Sequence, residues 1–238
     1  KKLETRLDNG SRKTPGAPAG KGKRSEQAAA AAAESSVKDR KLLARVVSYY
    51  QHTLGEDPAG LTYMQQERGI RELQSLKDFG AGSVNGTLAN ILPEDDEVLA
   101  SLQRIGLLDA KGRETFTNCV VFPLFAQNGD IVNLYGRCIA PDSELRHRYL
   151  PGPRHGLVNR KAVTHSQSLL LTESIIDALT LYDQGFRHVM PVYGVNGLTQ
   201  EHLSCFRDTI NELYLLFDAD EAGRRAAERL AARFQEQG

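Results

Sequence analysis

Short apolar runs alternate with amphipathic segments from Ser168 to the end of the chain. The runs "SLLLT", "HVMPVY" and "ELYLLF" predict β-strands, and each precedes a segment with helical spacing, at 174–184, 199–208 and 221–236. This alternation favours a parallel sheet with right-handed crossovers. In such a sheet the ligand crevice lies beyond the carboxyl ends of the strands. We therefore expect residues 164–238 to form an α/β domain with its functional site at that edge.

The pattern upstream of this domain is mainly helical at first. Apolar residues recur at helical spacing from Lys38 onward and again over 95–108, where a helix is expected to end near Gly106. Residues 38–163 as a whole are predicted to form a smaller α+β subdomain that precedes the parallel sheet.

A β-hairpin is predicted within this subdomain. The apolar runs 120–125 and 131–139 flank the turn signal Asn128-Gly129, which indicates an antiparallel pair over 118–140. The following residues, 141–163, contain several Pro and Gly and many basic side chains, and they are predicted to form a loop.

Composition adds constraints on partners and compartment. Residues 1–37 are rich in Gly, Pro, Ser, Lys and Ala, and they predict a disordered basic linker. The chain has 30 basic and 30 acidic residues, so binding to a polyanion must come from local clusters. Cys119, Cys138 and Cys205 form no C-x-x-C motif, which predicts reduced thiols and no zinc site or disulfide framework. No apolar run is long enough to cross a bilayer, and a cytoplasmic protein is expected.

Four acidic residues are expected at the edge of the sheet that holds the crevice. Glu173 directly follows the first strand, Asp177 lies one helical turn further on, and Asp218 and Asp220 follow the third strand. Carboxylates packed together raise one another's pKa, and a cation relieves the repulsion. Oxygen ligands of this kind suit a hard ion such as Mg²⁺. Two alternatives are structural: Asp220 is also placed to cap the last helix, and Asp177 to be a partly exposed helix residue.

The loop "YGVNGLT" after the second strand is a candidate phosphate-binding element. Gly194, Asn196 and Gly197 permit positive φ and a close approach of backbone N–H groups to a phosphate. The loop also leads into a helix, whose N-terminus favours anions.

These stretches together resemble the signatures of the Toprim fold. "LLLTESIIDALTLYDQGF", "YGVNGLT" and "LYLLFDADEAGRRAAERL" are similar to its Glu motif, its glycine loop and its D-x-D motif. Upstream, "NCVVFPLFAQNGDIVNLYGRCI" and "HRYLPGP" resemble the segments that precede the Toprim part of DnaG-type bacterial primases, particularly those carried by plasmids and other mobile elements. The resemblance spans roughly residues 40–238.

The resemblance implies a magnesium- or manganese-dependent primase that makes short RNA primers on a DNA template. Glu173, Asp218 and Asp220 would bind the metal, Glu173 would also serve as general base, and Asp177 would orient the cluster. The implied partners are single-stranded DNA, ribonucleoside triphosphates and a replicative helicase, with no membrane and no zinc in this chain. Because residue 1 is Lys rather than Met, and because the family's zinc ribbon and final acidic motif are missing, we expect a fragment of a longer chain.

Basic residues of the α+β subdomain are candidates for contacts with the template or the triphosphate. They are Arg137, Arg148, Arg160 and Lys161. Arg137 matches the family's Gly-Arg pair, whereas ordinary surface charge is an equal alternative for the other three. Tyr135 and Tyr149 are candidates for base stacking or, alternatively, for the hairpin core.

The chain also departs from the family pattern. Thr117 and Cys119 stand where the family has basic residues, Arg148 stands in place of Lys, and Pro151 stands in place of Asn. Two other functions therefore remain open: a different Toprim enzyme, such as a nuclease or topoisomerase, and a non-catalytic module that binds single-stranded DNA.

Overall fold

The computed structural model describes residues 21–141, 143–164, 166–194, 196–206 and 210–237. The chain divides into two units, with the boundary between Lys38 and Asp39. Of the predicted linker over residues 1–37, residues 1–20 lie outside the described part of the chain. From Lys21 onward its backbone is helical. No helix in the described ranges combines the length and the apolar character needed to cross a membrane.

Seven α-helices and seven β-strands make up the described secondary structure, together with short π- and 3₁₀-helical turns. The helices are α1 (Lys21–Glu56), α2 (Pro58–Thr62), α3 (Leu73–Asp78), α4 (Asp96–Ile105), α5 (Ile175–Asp183), α6 (Gln200–Phe206) and α7 (Glu221–Gln237). The strands are β1 (Gly82–Val84), β2 (Cys119–Phe125), β3 (Ile131–Cys138), β4 (His147–Tyr149), β5 (Ser168–Thr172), β6 (Val189–Pro191) and β7 (Glu212–Leu216).

The first sheet is antiparallel, with strand order β1-β2-β3-β4. The predicted hairpin over 118–140 is confirmed by the pairing of β2 with β3, and Gly129 has a φ of 88° in the turn. The predicted loop over 141–163 is wrong at His147–Tyr149, because this segment pairs with β3 as β4. The pairing satisfies backbone groups on the outer edge of β3.

The second sheet is parallel, with strand order β6-β5-β7, and it confirms the predicted α/β fold. Thr172 at the end of β5 pairs with both Pro191 and Leu216, so the carboxyl ends of all three strands meet at one edge. Helices α5 and α7 follow β5 and β7 as predicted. Helix α6 corresponds to the prediction over 199–208, of which residues 207 and 208 lie outside the described part.

An apolar core connects the two sheets. Phe122 of β2 and Tyr135 of β3 belong to the same buried cluster as Ile175 and Leu179 of α5. Polar contacts add to this packing, since the Asp183 carboxylate accepts hydrogen bonds from the backbone N–H of Arg71 and of Glu72. The predicted boundary between 38–163 and 164–238 stays a prediction, because this shared core extends across it.

Candidate active site

Glu173 lies at the centre of the edge where the parallel strands end. It directly follows β5, the middle strand, and its backbone carbonyl accepts a 2.8 Å hydrogen bond from the N–H of Gly194, in the loop after β6. Asp218, beyond the end of β7, lies close enough for its charge to raise the pKa of the Glu173 carboxylate. Glu173 is therefore near the loops that follow both neighbouring strands.

The Glu173 carboxylate is in an unusual environment for a charged group. Burial, and after it the negative charges of Asp218, Asp220 and Asp177, raise its pKa. Within the described part of the chain, its Oε2 atom is buried and has no hydrogen-bond partner. A buried acceptor with no partner is costly, and an arriving cation or donor would satisfy it.

The other three acids are exposed at this edge, and two of them also cap helices. Oδ1 of Asp220 accepts a 2.7 Å hydrogen bond from the N–H of Gly223 in the first turn of α7. Asp177 forms a capping box with Ser174 at the start of α5, with Ser174 Oγ donating to Asp177 Oδ2 at 2.6 Å. The structural alternatives considered for Asp177 and Asp220 are therefore both observed. Each carboxylate nevertheless lies close enough to raise the pKa of Glu173.

These acids do not form a complete metal-binding cage on their own. No three His, Cys, Asp or Glu side chains in the described ranges are grouped closely enough to hold a metal ion by themselves. The donor set still fits a hard divalent cation, because it consists of carboxylate oxygens, one of which is buried without a partner. Magnesium commonly binds to one or two carboxylates and takes its remaining ligands from water and substrate phosphates.

Helix α7 approaches the strand end so closely that it requires a glycine. A Cβ atom at Gly223 would lie 2.2 Å from the carbonyl oxygen of Asp218. Gly223 thus allows the first turn of α7 to pack directly on the backbone that carries Asp218 and Asp220.

Replacement of Gly223 by Ala is expected to lower the free energy of unfolding by about 1–3 kcal/mol, because the new methyl group overlaps a backbone atom. Gly55→Ala in α1 is the matched control, since a Cβ there would meet nothing within 4 Å. This control should be neutral or stabilising by about 0.5–1 kcal/mol. Urea denaturation of both variants measures the difference, and equal effects at the two sites would contradict the described packing.

The predicted glycine loop follows β6, and the backbone is left-handed where the loop begins. Tyr193 has a φ of 60° and Gly194 a φ of 101°. A Cβ atom at Gly197 would lie 1.7 Å from the carbonyl oxygen of Val192, so the loop doubles back on itself. Asn196 is exposed, and its Oδ1 accepts a 3.5 Å hydrogen bond from Arg229 of α7. Of this loop, Val195 lies outside the described residues.

His202 of α6 holds both ends of this loop, and sequence reasoning missed it. The backbone N–H of Thr199 donates to His202 Nδ1 at 3.1 Å, so the ring proton lies on Nε2. Nε2 donates to the carbonyl oxygen of Pro191 at 3.0 Å. The contact at Nδ1 requires the neutral ring, because a protonated Nδ1 cannot accept a hydrogen bond, and burial lowers the pKa of His202 to about 4.

The stability of the fold should therefore fall with acidification through His202. An unfolded His titrates near pH 6.5 and the folded one near 4, so the unfolded state binds more protons between these values. The contribution of His202 is complete above about pH 6.5 and is lost as the pH falls towards 4, by up to about 3 kcal/mol.

Urea denaturation at several pH values, for the wild type and for His202→Gln, isolates this contribution from those of other titrating groups. The wild type should lose more stability than the variant between pH 7 and 4.5. Parallel pH profiles for the two proteins would contradict the role assigned to the neutral ring.

Arg137 of β3 lies in a group of three arginines and one histidine beside the first sheet, here called the basic cluster. Its Nε donates to the Tyr63 hydroxyl at 2.9 Å, and its Nη1 lies 3.0 Å from His147 Nε2. Arg68 donates to the same Tyr63 hydroxyl at 2.8 Å. The Arg154 guanidinium stacks on the Tyr149 ring, 4.5 Å from its centroid. The members of the basic cluster are Arg68, Arg137, His147 and Arg154.

The charge of the basic cluster is not neutralised within the described residues, where no carboxylate forms an ion pair with any of its four members. Burial, followed by the charges of Arg137, Arg68 and Arg154, lowers the pKa of His147. Uncompensated cations of this kind favour an anionic ligand. Of the four members of the basic cluster, sequence reasoning identified only Arg137 as a candidate. The other three come close to it only through the fold.

The other predicted cations are placed differently. Arg148 Nη1 donates to the Thr115 carbonyl at 2.7 Å, and Arg160 Nη1 donates to the Gln127 carbonyl at 2.6 Å. Lys161 is exposed. Arg148 and Arg160 thus bind the protein's own backbone, and their role towards nucleic acid stays a prediction.

Tyr135 and Tyr149 pack against each other, with ring centroids 5.2 Å apart. Tyr135 is buried and its hydroxyl lies 2.9 Å from His147 Nδ1, which places it in the hairpin core. Tyr149 is half-buried beneath Arg154.

Comparison with known proteins connects these features. Residues 170–238 match the Toprim-like family model. The chain is 29% identical to the DNA primase of Aquifex aeolicus over 209 residues, which covers 81% of this chain and 42% of that protein. It is 26% identical to the DNA primase of Helicobacter pylori strain J99 over 205 residues, which covers 79% of this chain.

This chain spans only 36% of the length of that Helicobacter pylori relative. Among solved structures, the DnaG primase catalytic domain bound to single-stranded DNA superposes with a TM-score of 0.69 at 20% identity, and the match covers 83% of this chain and 68% of that one. The carboxylate edge of the parallel sheet lies within the matched Toprim-like region. The chain is therefore similar in sequence to bacterial DNA primases, has the fold of the DnaG catalytic core, and matches the Toprim-like model over residues 170–238.

Proposed function

We propose that this chain is the catalytic core of a DNA primase, which synthesises short RNA primers on a single-stranded DNA template. One observation carries the proposal: Glu173 and Asp218 follow adjacent parallel strands, and the charges of Asp218, Asp220 and Asp177 all raise the pKa of Glu173. The sequence relation to DNA primases supports the same activity. The class is a nucleotidyltransferase that acts as a DNA-directed RNA polymerase.

A divalent cation, Mg²⁺ or Mn²⁺, would bind at the carboxylate edge. Glu173, Asp218 and Asp220 are the residues that would hold it, with water and nucleotide phosphates supplying further oxygen ligands. When bound, the ion would stabilise the negative charge that develops on the phosphates and lower the pKa of the attacking hydroxyl.

The side chains of this edge would perform the remaining work. Because burial and neighbouring charges raise its pKa, Glu173 would accept a proton more readily than an ordinary carboxylate, which suits a general base for the 3′-hydroxyl of the growing primer. Asp177 would keep Ser174 and the start of α5 in place through the capping box, and would thereby position Glu173. The glycine loop of Gly194, Asn196 and Gly197 would place backbone N–H groups near a phosphate.

The basic cluster would bind the polyanionic substrates. Arg137 is oriented by Tyr63 and His147, and Arg68 and Arg154 add charge beside it. A groove of cations can follow a single strand or a triphosphate without reading the base sequence. The solved DnaG complex with single-stranded DNA supports this assignment at the level of the fold. Primer synthesis for replication would place the protein in the cytoplasm, with a replicative helicase as its partner.

The test is a primer-synthesis assay with the full chain, Mg²⁺, four ribonucleoside triphosphates and a single-stranded DNA template. Short RNA products that disappear without the divalent cation are expected. Nicking of the DNA without RNA synthesis would instead identify a different Toprim enzyme. Binding of DNA with no product under any of these conditions would identify a non-catalytic module.

A further inference from the structure

Two cysteines that are far apart in the sequence meet on the first sheet. Cys119 begins β2 and Cys138 ends β3, and the two residues lie directly opposite each other in the strand pairing. Their sulfur atoms are 2.6 Å apart. Both thiols are free, and their separation is longer than the ~2.05 Å of a disulfide bond but short enough for direct contact between the sulfurs. Cys205, the third cysteine of the chain, lies on α6.

The backbone around the pair is suited to a cross-strand link. The N–H of Ile139 donates to the carbonyl of Asn118, so that 118 and 139 form a hydrogen-bonded pair. Cys119 and Cys138 are the next pair along the ladder and therefore occupy a non-hydrogen-bonded position, where Cα atoms are about 4.5 Å apart. That spacing is within the ~4.4–6.8 Å range that disulfides span. A bond between the two sulfurs would require little movement of either strand.

The surroundings of the pair determine how it can react. Both side chains are buried, and burial raises the pKa of Cys119, so thiolate is scarce at neutral pH. The pair lies at the end of the β2–β3 pairing that is far from the turn, and Cys119 also pairs with Val84 of β1, so an oxidant reaches the sulfurs only when this end of the sheet opens locally. A small neutral oxidant is therefore a better match to this site than a protein oxidant.

We propose that Cys119 and Cys138 are a redox modification site, which a hydroperoxide converts into an intramolecular disulfide. One sulfur attacks hydrogen peroxide, which forms a sulfenic acid and releases one water. The second thiol then displaces the hydroxyl group of the sulfenic acid as a second water, and the S–S bond forms. Two thiols are oxidised by two electrons, and one peroxide is reduced to two waters.

The link would act on β3, the strand that carries Arg137 of the basic cluster. Arg137 immediately precedes Cys138, and Arg148 on β4 is close enough for its charge to affect Cys119. A covalent bond at this position would fix the end of β3 relative to β2. The proposal concerns the chemistry of the pair and does not depend on the primase activity.

Thiol titration tests the proposal in the Cys205→Ser variant, which retains the two paired thiols alone. The folded variant is treated with hydrogen peroxide, unfolded in denaturant, and titrated for free thiols. Loss of both thiols, recovery of both with dithiothreitol, and a cross-linked peptide that contains Cys119 and Cys138 are the expected results. Two thiols that still titrate, sulfinic acid without a cross-link, or a cross-link between two chains would each overturn the proposal.

A second measurement uses the melting temperature. Closing the loop between the two cysteines should raise the melting temperature of oxidised Cys205→Ser by roughly 5–10 °C over its reduced form. The double variant Cys119→Ser, Cys205→Ser is the matched control and should show no such rise after peroxide. An equal response of the two proteins would show that the rise does not come from the pair.

Discussion

Replacing Asp218 by Asn is expected to lower the rate of primer synthesis by about 100- to 1000-fold, the loss typical of removing one group that stabilises transition-state charge. The substitution removes a negative charge from the edge where the parallel strands end and keeps the size and shape of the side chain. Because the side chain is exposed, folding should be little affected. The rate of RNA synthesis at saturating nucleotide, together with the melting temperature, measures the two effects separately.

Asp220→Asn should have a similar effect on the rate. Asn is as good a helix cap as Asp, so the hydrogen bond from Gly223 would be kept while the charge is lost. Loss of activity in this variant would therefore report on the charge and not on the cap.

Glu221→Gln is the matched control for both variants. Glu221 is exposed in the first turn of α7, next to the site in sequence, and it pairs with Arg225 on the same helix. The primer-synthesis activity of Glu221→Gln should stay within about twofold of the wild type, as for most surface substitutions. A loss in Glu221→Gln equal to that in Asp218→Asn would indicate a general effect of charge at this end of the sheet.

Replacing Arg137 by Ala is expected to weaken the binding of template or nucleotide by about 10- to 100-fold, because the side chain connects Tyr63 and His147 in a cluster without neutralising carboxylates. If Arg137 contacts a phosphate, the salt dependence of DNA binding should also become shallower by about one unit of slope. Fluorescence anisotropy with labelled single-stranded DNA at several salt concentrations measures both quantities.

Arg113→Ala is the control for Arg137→Ala. Arg113 is an exposed cation whose ion pair is with Asp109, four residues earlier in the chain. The Arg113→Ala substitution should change neither the affinity for single-stranded DNA nor its salt dependence appreciably. Arg137→Lys should lie between the wild type and Arg137→Ala, since it keeps the charge but not the planar group that reaches two partners. An unchanged salt slope in Arg137→Ala would show that this residue does not contact phosphate.

The parallel sheet could be predicted from sequence because its strands and helices have distinct periodicities. A change from an apolar run to helical spacing distinguishes the strand at Ser168–Thr172 from the helix at Ile175–Asp183. Strands β1 and β4 were not predicted, since neither contains an apolar run: β1 has the sequence Gly-Ser-Val and β4 the sequence His-Arg-Tyr. Such strands form because a neighbouring strand offers unpaired backbone groups, and this information is not local in sequence.

The candidate site was predictable only where residues follow strands directly. Glu173, Asp218 and the glycine loop could be placed because parallel strands end at one edge. The role of His202 could not be predicted, because its two partners lie at opposite ends of a loop whose course depends on Gly197.

The cysteine pair shows a related limit. The sequence indicated isolated thiols, whereas the strand register places Cys119 opposite Cys138. That register includes a shift between Leu124 and Phe125, so it depends on an irregularity that residue pattern alone does not reveal.

Mn²⁺ binding monitored by electron paramagnetic resonance tests the central claim most directly, because the signal of the free ion decreases as the protein binds it. The wild type and Glu221→Gln should bind Mn²⁺ with similar affinity, and Mg²⁺ should compete. Asp218→Asn and Asp220→Asn should each bind at least about tenfold more weakly. Equal affinity in all four proteins would contradict a metal site built from the carboxylates that follow β5 and β7.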